Sequence, residues 1–184
     1  MDIPRLETDR LILRGWRAED IDAYAAMVAH PDVSPFMTTS GKPMDRIEAW
    51  RHMATAAGHW VLRGFGIWAL EEKDSGQFVG RTGLYYPDSW PGREVGYGLA
   101  REHWGKGYAT EAVSAARDYA FETLGWDEII SIINPANTRS LAVAERAGET
   151  FKEEWKHGDY TLHVYALSRT AWEQLDRQKP TDLP

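Results

Sequence analysis

The order of apolar and polar residues predicts one strand and two helices in the first part of the chain. Leu11 and Leu13 lie on one face of a short alternating run at residues 10–16, which is typical of a strand. Apolar residues three or four positions apart predict helices at residues 18–32 and 43–57. The expected apolar face of the second helix consists of Met44, Ile47, Trp50 and either Met53 or Ala54.

Three β-rich runs follow, at residues 64–72, 77–86 and 94–100. A tight turn at residues 73–76 joins the first two runs as a hairpin. The middle of the chain is therefore predicted to form an antiparallel meander. The two helices that precede it are separated by a proline-containing loop at residues 31–41.

The periodicity changes after the third of these strands. A helical apolar stripe runs from Gly107 to about Leu124, and the next run, residues 128–134, is apolar on both faces. Such a run is typical of a parallel strand buried between two layers. The strand at 94–100, the helix and the second strand therefore predict a right-handed βαβ unit.

The remaining patterns complete a mixed α+β fold. We expect a short helix at residues 138–148, a hairpin at residues 150–168 and a tail helix at residues 171–179. The whole is expected to be a single domain, residues 1–184, with a mostly antiparallel sheet of about seven strands and helices on both faces.

Composition narrows the classes of function. The chain has no cysteine, which excludes disulfides, thiol nucleophiles and thiolate metal sites, and its six histidines show no metal-binding spacing. No metal is therefore expected. The net charge of −7 argues against nucleic-acid binding and mildly favours a cationic partner, although a solvated acidic surface is the simpler explanation. No apolar run is long enough for a membrane span and no signal-peptide core is visible, so we expect a cytoplasmic protein.

The turn Trp104–Ala109, with the sequence WGKGYA, is a candidate anion site. It precedes the long helix, and a helix N-terminus carries unpaired N–H groups and a partial positive charge. Gly105, Gly107 and Ala109 would let a phosphate approach the backbone closely, and Lys106 adds a charge. A glycine pair before a helix is as often ordinary loop structure, so both interpretations stay open.

Two common phosphate motifs do not fit this turn. In a P-loop, Gly-Lys is followed by Ser or Thr, whereas Gly107 follows Lys106 here, and the expected earlier glycine is Ala100. The dinucleotide pattern GxGxxG fails because its third glycine is replaced by Thr110.

The strand before the turn has an unusual face. Glu94, Gly96 and Gly98 share one side of it, and glycine inside a strand indicates a bulge or the close approach of a ligand. The carboxylate of Glu94 is therefore either an exposed charge at a strand end or a base beside a ligand groove.

These residues carry a resemblance to a known family. The segment EVGYGLAREHWGKGYATEA, followed by INPANTRSLAVAERAGETF, resembles the GNAT superfamily of acyl-CoA-dependent N-acetyltransferases. The opening segment LETDRLILRGWRAEDIDAYAAMVAHPDV is similar to the N-terminus of its RimJ/RimL-like branch. The resemblance covers most of the chain. Trp104 stands where the superfamily's pyrophosphate loop often has Gln or Arg, but tryptophan suits this branch.

The resemblance implies an acetyl-CoA site without a metal. The turn Trp104–Ala109 would hold the pyrophosphate of coenzyme A, and the pantetheine arm would lie where the two strands of the βαβ unit splay apart. A main-chain N–H near Leu99 or Ala100 would polarise the thioester carbonyl. The residues expected to bind the cofactor are Tyr97, Leu99, Trp104, Gly105, Lys106, Gly107, Tyr108, Ala109, Thr110 and Asn137.

The resemblance also suggests catalytic residues. An alkyl amine has a pKa near 10, so freeing it at neutral pH costs about 4 kcal/mol, and a carboxylate can take the proton. Glu94 matches the base, while Asp88 is the alternative base or a contact for a cationic acceptor. Ser140 would protonate the leaving thiolate, and Asn137 would contact the cofactor arm. The alternative is that these two residues only begin the short helix. Trp90 would either line the acceptor site or simply pack.

The expected function is direct transfer of an acetyl group from acetyl-CoA to a primary amine. The acceptor would be a protein N-terminal α-amine or a small cationic amine. The alternative is a non-catalytic acyl-CoA-binding module. The βαβ edge and the final hairpin are compatible with a homodimer.

Overall fold

The computed structural model describes residues 2–37 and 41–177, and its contacts divide the chain into two compact units. The first unit comprises Met1–Tyr85 and Val95–Ala116, and the second comprises Tyr86–Glu94 and Arg117–Pro184. Part of the expected loop, part of the expected tail helix and both ends of the expected single domain lie outside the described residues, which exclude residues 1, 38–40 and 178–184.

The described residues form eight strands and five α-helices. The strands are β1 Leu6–Glu7, β2 Leu11–Arg14, β3 Ile67–Glu72, β4 Phe78–Tyr85, β5 Glu94–Leu99, β6 Glu128–Ile133, β7 Thr150–His157 and β8 Tyr160–Ser168. The helices are α1 Asp20–Ala29, α2 Arg46–Arg63, α3 Tyr108–Glu122, α4 Thr138–Arg146 and α5 Arg169–Arg177. The expected mixed, mostly antiparallel α+β fold is confirmed, with β1 as an added short strand.

In the first unit, strands β1 to β5 pair in sequence order. Ala69 of β3 lies opposite Arg81 of β4 in an antiparallel register. The Ala100 N–H, just after β5, donates to the carbonyl of Val79 at 3.0 Å. Close approach of β4 and β5 requires a glycine at position 80, because a Cβ there would lie 2.3 Å from a backbone carbonyl oxygen of β5.

The buried face of α2 differs from the expectation. Ile47 and Trp50 are 62% and 57% exposed. Of the expected residues, Met53 is buried, and the other residues that α2 buries are Ala49, Ala56, His59 and Trp60. A capping box fixes the first residue of this helix. The Asp45 side chain accepts a hydrogen bond from the Glu48 N–H, and the Glu48 side chain accepts one from the Asp45 N–H. The helix therefore starts at Arg46, and it continues beyond the expected end at residue 57.

The second unit contains the expected parallel pairing. Glu94, the first residue of β5, pairs in parallel with Ile130 of β6, and the Ile130 N–H donates to the Arg93 carbonyl at 2.9 Å. Strand β6 then pairs antiparallel with β8, which pairs antiparallel with β7. The βαβ connection through α3 is thereby confirmed.

Helix α5 packs on the C-terminal half of α3 within this unit. The Phe121 and Trp172 rings stack with centroids 5.1 Å apart, and the Trp172 indole N–H donates to Asp118 at 2.7 Å. Among the helices of the described residues, none combines the length and apolar character that crossing a bilayer requires.

Candidate functional site

The turn between β5 and α3 belongs to the first unit and depends on two glycines. Gly105 and Gly107 have φ values of +78° and +83°, which residues with side chains rarely adopt. A Cβ at Gly105 would meet nothing within 4 Å, and one at Gly107 would meet only the Arg10 guanidinium, at 3.2 Å. The outer side of the turn is therefore open.

Arg10 fixes the orientation of this turn. Its Nη1 donates to the Lys106 carbonyl at 2.8 Å, and its Nε and Nη2 contact Glu111 at 2.8 and 2.6 Å. Because a trans peptide points its C=O and N–H in opposite directions, the Gly107 N–H faces away from Arg10. Within the described residues, the backbone N–H groups of Gly105, Lys106 and Gly107 donate no hydrogen bond. The turn thus presents three unused donors at the start of a helix.

The anchor of this arrangement, Glu111, is an ionised carboxylate. Burial by itself raises the pKa of Glu111, but hydrogen bonds from the Thr8 hydroxyl and from Arg10 outweigh it and lower the pKa. The Thr8 contact is 2.6 Å long. Sequence reasoning missed this network, since Thr8 and Arg10 lie about a hundred positions before Glu111 and carry no local signal.

Lys106 supplies the positive charge of the turn. Its Nζ lies 3.4 Å from Nδ1 of buried His103 and 5.7 Å from the centroid of the Tyr108 ring. Burial and the Lys106 charge both lower the pKa of His103, which favours a neutral imidazole. The Tyr108 hydroxyl donates to Glu72 at 2.5 Å, and this bond raises the pKa of Tyr108. These contacts hold Tyr108 and His103 beneath the exposed lysine.

The other expected cofactor residues of the first unit have structural contacts. The Trp104 indole N–H donates to the Leu99 carbonyl at 3.0 Å, and the Arg101 guanidinium lies 4.9 Å from its ring. Tyr97 lies half-buried on β5, while Ala109 and Thr110 lie in the first turn of α3. Of the two main-chain N–H groups expected near the thioester, that of Ala100 donates to the Val79 carbonyl of β4.

In the second unit, an indole fixes the carboxylate of Glu94. The Trp90 Nε1–H donates to Glu94 Oε2 at 2.7 Å. The Trp90 ring lies 5.3 Å from that of Trp155 and 5.7 Å from that of His157. Trp90 therefore packs in an aromatic group and also orients Glu94, while Asp88 is exposed in the preceding loop.

Asn137 and Ser140 occupy the start of α4. Asn137 is the N-cap residue, and its side-chain oxygen accepts from the Ser140 backbone N–H at 3.2 Å. The helix-start interpretation is thus present in the structure for both residues. This cap involves the backbone N–H of Ser140, so it does not decide whether the Ser140 hydroxyl has a chemical role.

Glu149 is a titratable residue that the sequence pattern did not indicate as part of a site. It is 2% exposed, and neither carboxyl oxygen has a hydrogen-bond partner within the described residues. Burial, with a smaller contribution from the negative charge of Glu94, outweighs the opposing effect of the nearby Ser131 hydroxyl and raises the pKa of Glu149 to about 7. Arg117 opposes it weakly because its guanidinium already binds Asp118 and the Ala147 carbonyl.

The glycine turn of the first unit fits a pyrophosphate group. Three outward N–H groups, an open surface and one exposed cation are what an anion at a helix N-terminus requires. No cluster of three or more side chains able to hold a metal occurs in the residues that the structure describes.

Comparisons with known proteins agree with this geometry. The family model of the acetyltransferase (GNAT) domain matches residues 10–150. The N-acetyltransferase YoaA of Bacillus subtilis is 33% identical over 172 residues, covering 89% of this chain and 96% of YoaA. A crystal structure of an acetyltransferase from Agrobacterium tumefaciens matches with a TM-score of 0.81 and 34% identity, covering 91% and 95% of the two chains.

A solved structure of RimL, the ribosomal L7/L12 α-N-protein acetyltransferase, in complex with coenzyme A shares the fold. Its TM-score is 0.73 at 16% identity, over 90% of this chain and 98% of RimL. On the family model and on YoaA, the chain belongs to the GNAT family and is an acetyl-CoA-dependent N-acetyltransferase.

Proposed function

We propose that this enzyme transfers the acetyl group directly to a primary amine, with Glu94 as the general base. The observation that carries the proposal is the pair formed by Glu94 and Trp90, a carboxylate held by an indole at 2.7 Å beside further aromatic rings. Carboxylates and aromatic faces both attract an ammonium group. The alternative base, Asp88, is an exposed loop residue of the same unit.

Each of these residues has a defined task in the transfer. Bound acetyl-CoA supplies an acetyl thioester. Glu94 removes the proton that keeps an amine unreactive, which offsets the cost of about 4 kcal/mol for freeing an alkyl amine at neutral pH. The indole bond to Oε2 keeps the carboxylate in one orientation. The Ser140 hydroxyl donates a proton to the departing sulfur, and this is a modest task because thiols have a pKa near 8.5.

We assign the phosphate end of acetyl-CoA to the glycine turn. The unused N–H groups of Gly105, Lys106 and Gly107 bind the pyrophosphate, and the Lys106 ammonium adds attraction. The half-buried Tyr97, the Leu99 backbone and the Asn137 side chain remain our candidates for the pantetheine arm.

The proposed acceptor is a protein α-amine or a small cationic amine. The resemblance to the RimJ/RimL-like branch favours protein N-termini, since RimL acts on the α-amine of ribosomal L7/L12. The net charge of −7 favours cationic acceptors. We further propose that the chain acts in the cytoplasm as a single catalytic domain, because residues from both units lie inside the matched family model.

Thiol release from acetyl-CoA tests this proposal. The purified protein would be incubated with a pool of short peptides with varied N-termini and, separately, with a pool of polyamines, aminoglycosides and other small cationic amines. Thiol release above the rate without amine is expected with at least one pool. Its absence with both pools, while CoA still binds, would overturn the proposed function and favour a non-catalytic acyl-CoA-binding module.

A further inference from the structure

Arg81 on β4 carries a positive charge that no ion pair compensates in the part of the chain that the structure describes. The residue is half-buried, its Nε is inaccessible to solvent, and that atom has no hydrogen-bond partner. No ion pair or hydrogen bond of Arg81 occurs within the ranges 2–37 and 41–177. Leaving a buried guanidinium nitrogen without a hydrogen-bond partner costs free energy, so such an atom calls for an explanation.

Another interior arginine of the first unit shows the usual solution. The Arg14 guanidinium binds both oxygens of Asp20 at 2.8 Å and one oxygen of Glu71 at 2.6 Å. The chain therefore supplies carboxylates where an arginine is purely structural. Arg81 lies on β4, two strands away from Arg14 in the sheet, and has no such partner among the residues that the structure describes.

The groups near Arg81 are neutral. Tyr24 of α1 and His52 of α2 are joined by a hydrogen bond between the phenol and Nδ1, with their rings stacked 6.0 Å apart. Burial, together with a smaller effect of the positive charge of Arg81, lowers the pKa of His52 to about 4. Burial also raises the pKa of Tyr24, so the phenol keeps its proton.

The bond between Tyr24 and His52 leaves one donor hydrogen unused in either tautomer of the neutral imidazole. If the phenol donates to Nδ1, the imidazole keeps Nε2–H, and if Nδ1–H donates to the phenol oxygen, the phenol keeps its O–H. The cluster therefore contains one fixed cation and neutral donors, but no anion to match the cation. Trp16 and Phe78 pack against Tyr24, which makes the surroundings apolar and strengthens any charge pairing.

A carboxylate matches this cluster best. It is planar, carries one negative charge, and can accept two parallel hydrogen bonds from a guanidinium. A phosphate dianion would leave excess negative charge, because His52 stays neutral and adds no second cation.

We propose that Arg81, with Tyr24 and His52 beside it, binds a carboxylate of the acceptor, so that the acetylated molecule is an amine that also carries a carboxylate. The inference rests on the proposed amine acetylation and narrows its acceptor class to amino acids or acidic peptides. In the transfer the amine nitrogen forms the new C–N bond and the thioester C–S bond breaks. One N–H proton leaves the nitrogen, one proton ends on the CoA thiol, and the carboxylate is unchanged.

The test compares matched acceptors in the thiol-release assay. Each L-amino acid is paired with its carboxamide, and peptides beginning Ala-Asp are paired with peptides beginning Ala-Asn. The acid member of a productive pair is expected to have a kcat/KM about 10 to 100 times higher. Preference for free amino acids or for acidic peptides would identify the source of the carboxylate.

The variant Arg81→Gln is expected to remove this preference while leaving the rate with the carboxamide nearly unchanged. Arg5→Gln, which removes an exposed arginine of the same unit, is the matched control and should keep the preference. Because Arg81→Gln removes an unpaired charge, its melting temperature should not fall. Equal rates for acid and carboxamide in the wild type, or an unchanged preference in Arg81→Gln, would overturn the carboxylate site while amine acetylation stands.

A binding measurement separates this site from the proposed function. Calorimetric titration with N-acetylglycine and with the neutral N-acetylglycinamide requires no turnover. If the wild type releases no thiol with any amine, the proposed function fails, and the titration decides the site. Binding of N-acetylglycine that Arg81→Gln abolishes would support the site, and equal binding by both proteins would overturn it.

Discussion

Replacing Glu149 by glutamine is expected to change how the stability of the protein depends on pH. The carboxyl group is 2% exposed and lacks hydrogen-bond partners in the described residues, and burial raises its pKa from 4.5 to about 7. Between these two values the folded protein holds a proton that the unfolded chain has lost. The free energy of unfolding of the wild type therefore falls as pH rises through this window.

The size of the effect follows from the shift. One pKa unit corresponds to 1.36 kcal/mol, so a rise from 4.5 to about 7 costs the folded wild type about 3 kcal/mol above pH 7 and nothing below pH 4.5. Glutamine has a similar shape but cannot ionise. The stability advantage of Glu149→Gln over the wild type should therefore grow by about 2.5 kcal/mol between pH 5 and pH 8, which corresponds to about 5–10 °C in melting temperature.

Thermal unfolding of both proteins at several pH values between 5 and 8 measures this difference. The exposed Glu153, on the strand β7 that follows Glu149, supplies the control, and Glu153→Gln should follow the wild type at every pH. An equal difference in melting temperature between Glu149→Gln and wild type at pH 5 and at pH 8 would contradict this prediction, because Glu149 would then not titrate with a raised pKa in the folded protein.

Three other substitutions test the site. Glu94→Gln should lower kcat at least tenfold with little change in CoA affinity, measured by steady-state kinetics and calorimetry, because general base catalysis contributes about 100-fold or more. Arg10→Gln should weaken CoA binding several-fold, since the Lys106 carbonyl loses its anchor, whereas the exposed Arg5→Gln should leave calorimetric affinity unchanged. Asn137→Ala should lower the melting temperature by about 2–4 °C through loss of a helix cap worth about 1 kcal/mol, while Asn137→Ser should keep it. Weaker CoA binding in the stable serine variant would support a cofactor contact, and unchanged binding would contradict it.

Local patterns predicted most of the fold. The alternation around Leu11 and Leu13 marked a strand whose two leucines are fully buried, and the doubly apolar run at 128–134 marked the parallel strand β6. The predicted apolar face of α2 was wrong at Ile47 and Trp50, which are exposed. The helix contains a second series of apolar residues, Ala49, Met53, Ala56 and Trp60, and this series is the buried one. Periodicity alone could not choose between the two series.

The parts of the site that the sequence missed depend on contacts distant in the chain. The glycine turn was visible as a motif, but the Arg10–Glu111 anchor that orients it joins residues 101 positions apart. Glu149 looks like an ordinary acidic residue beside a glycine, and only the fold shows that it is buried. Arg81 likewise looks like an ordinary polar residue of a half-buried strand, and only the packed structure shows that its Nε has no partner among the described residues.

The central claim is that the glycine turn binds acetyl-CoA, and calorimetric titration with CoA tests it most directly. Gly107→Glu places a charged side chain in the turn at a φ of +83°, and Gly76→Glu places the same side chain at a φ of +68° in an open hairpin turn. The two variants share the backbone strain and the added charge. Gly107→Glu is expected to lose CoA binding, while Gly76→Glu is expected to bind CoA like the wild type. Equal CoA affinity in Gly107→Glu and wild type would contradict the central claim.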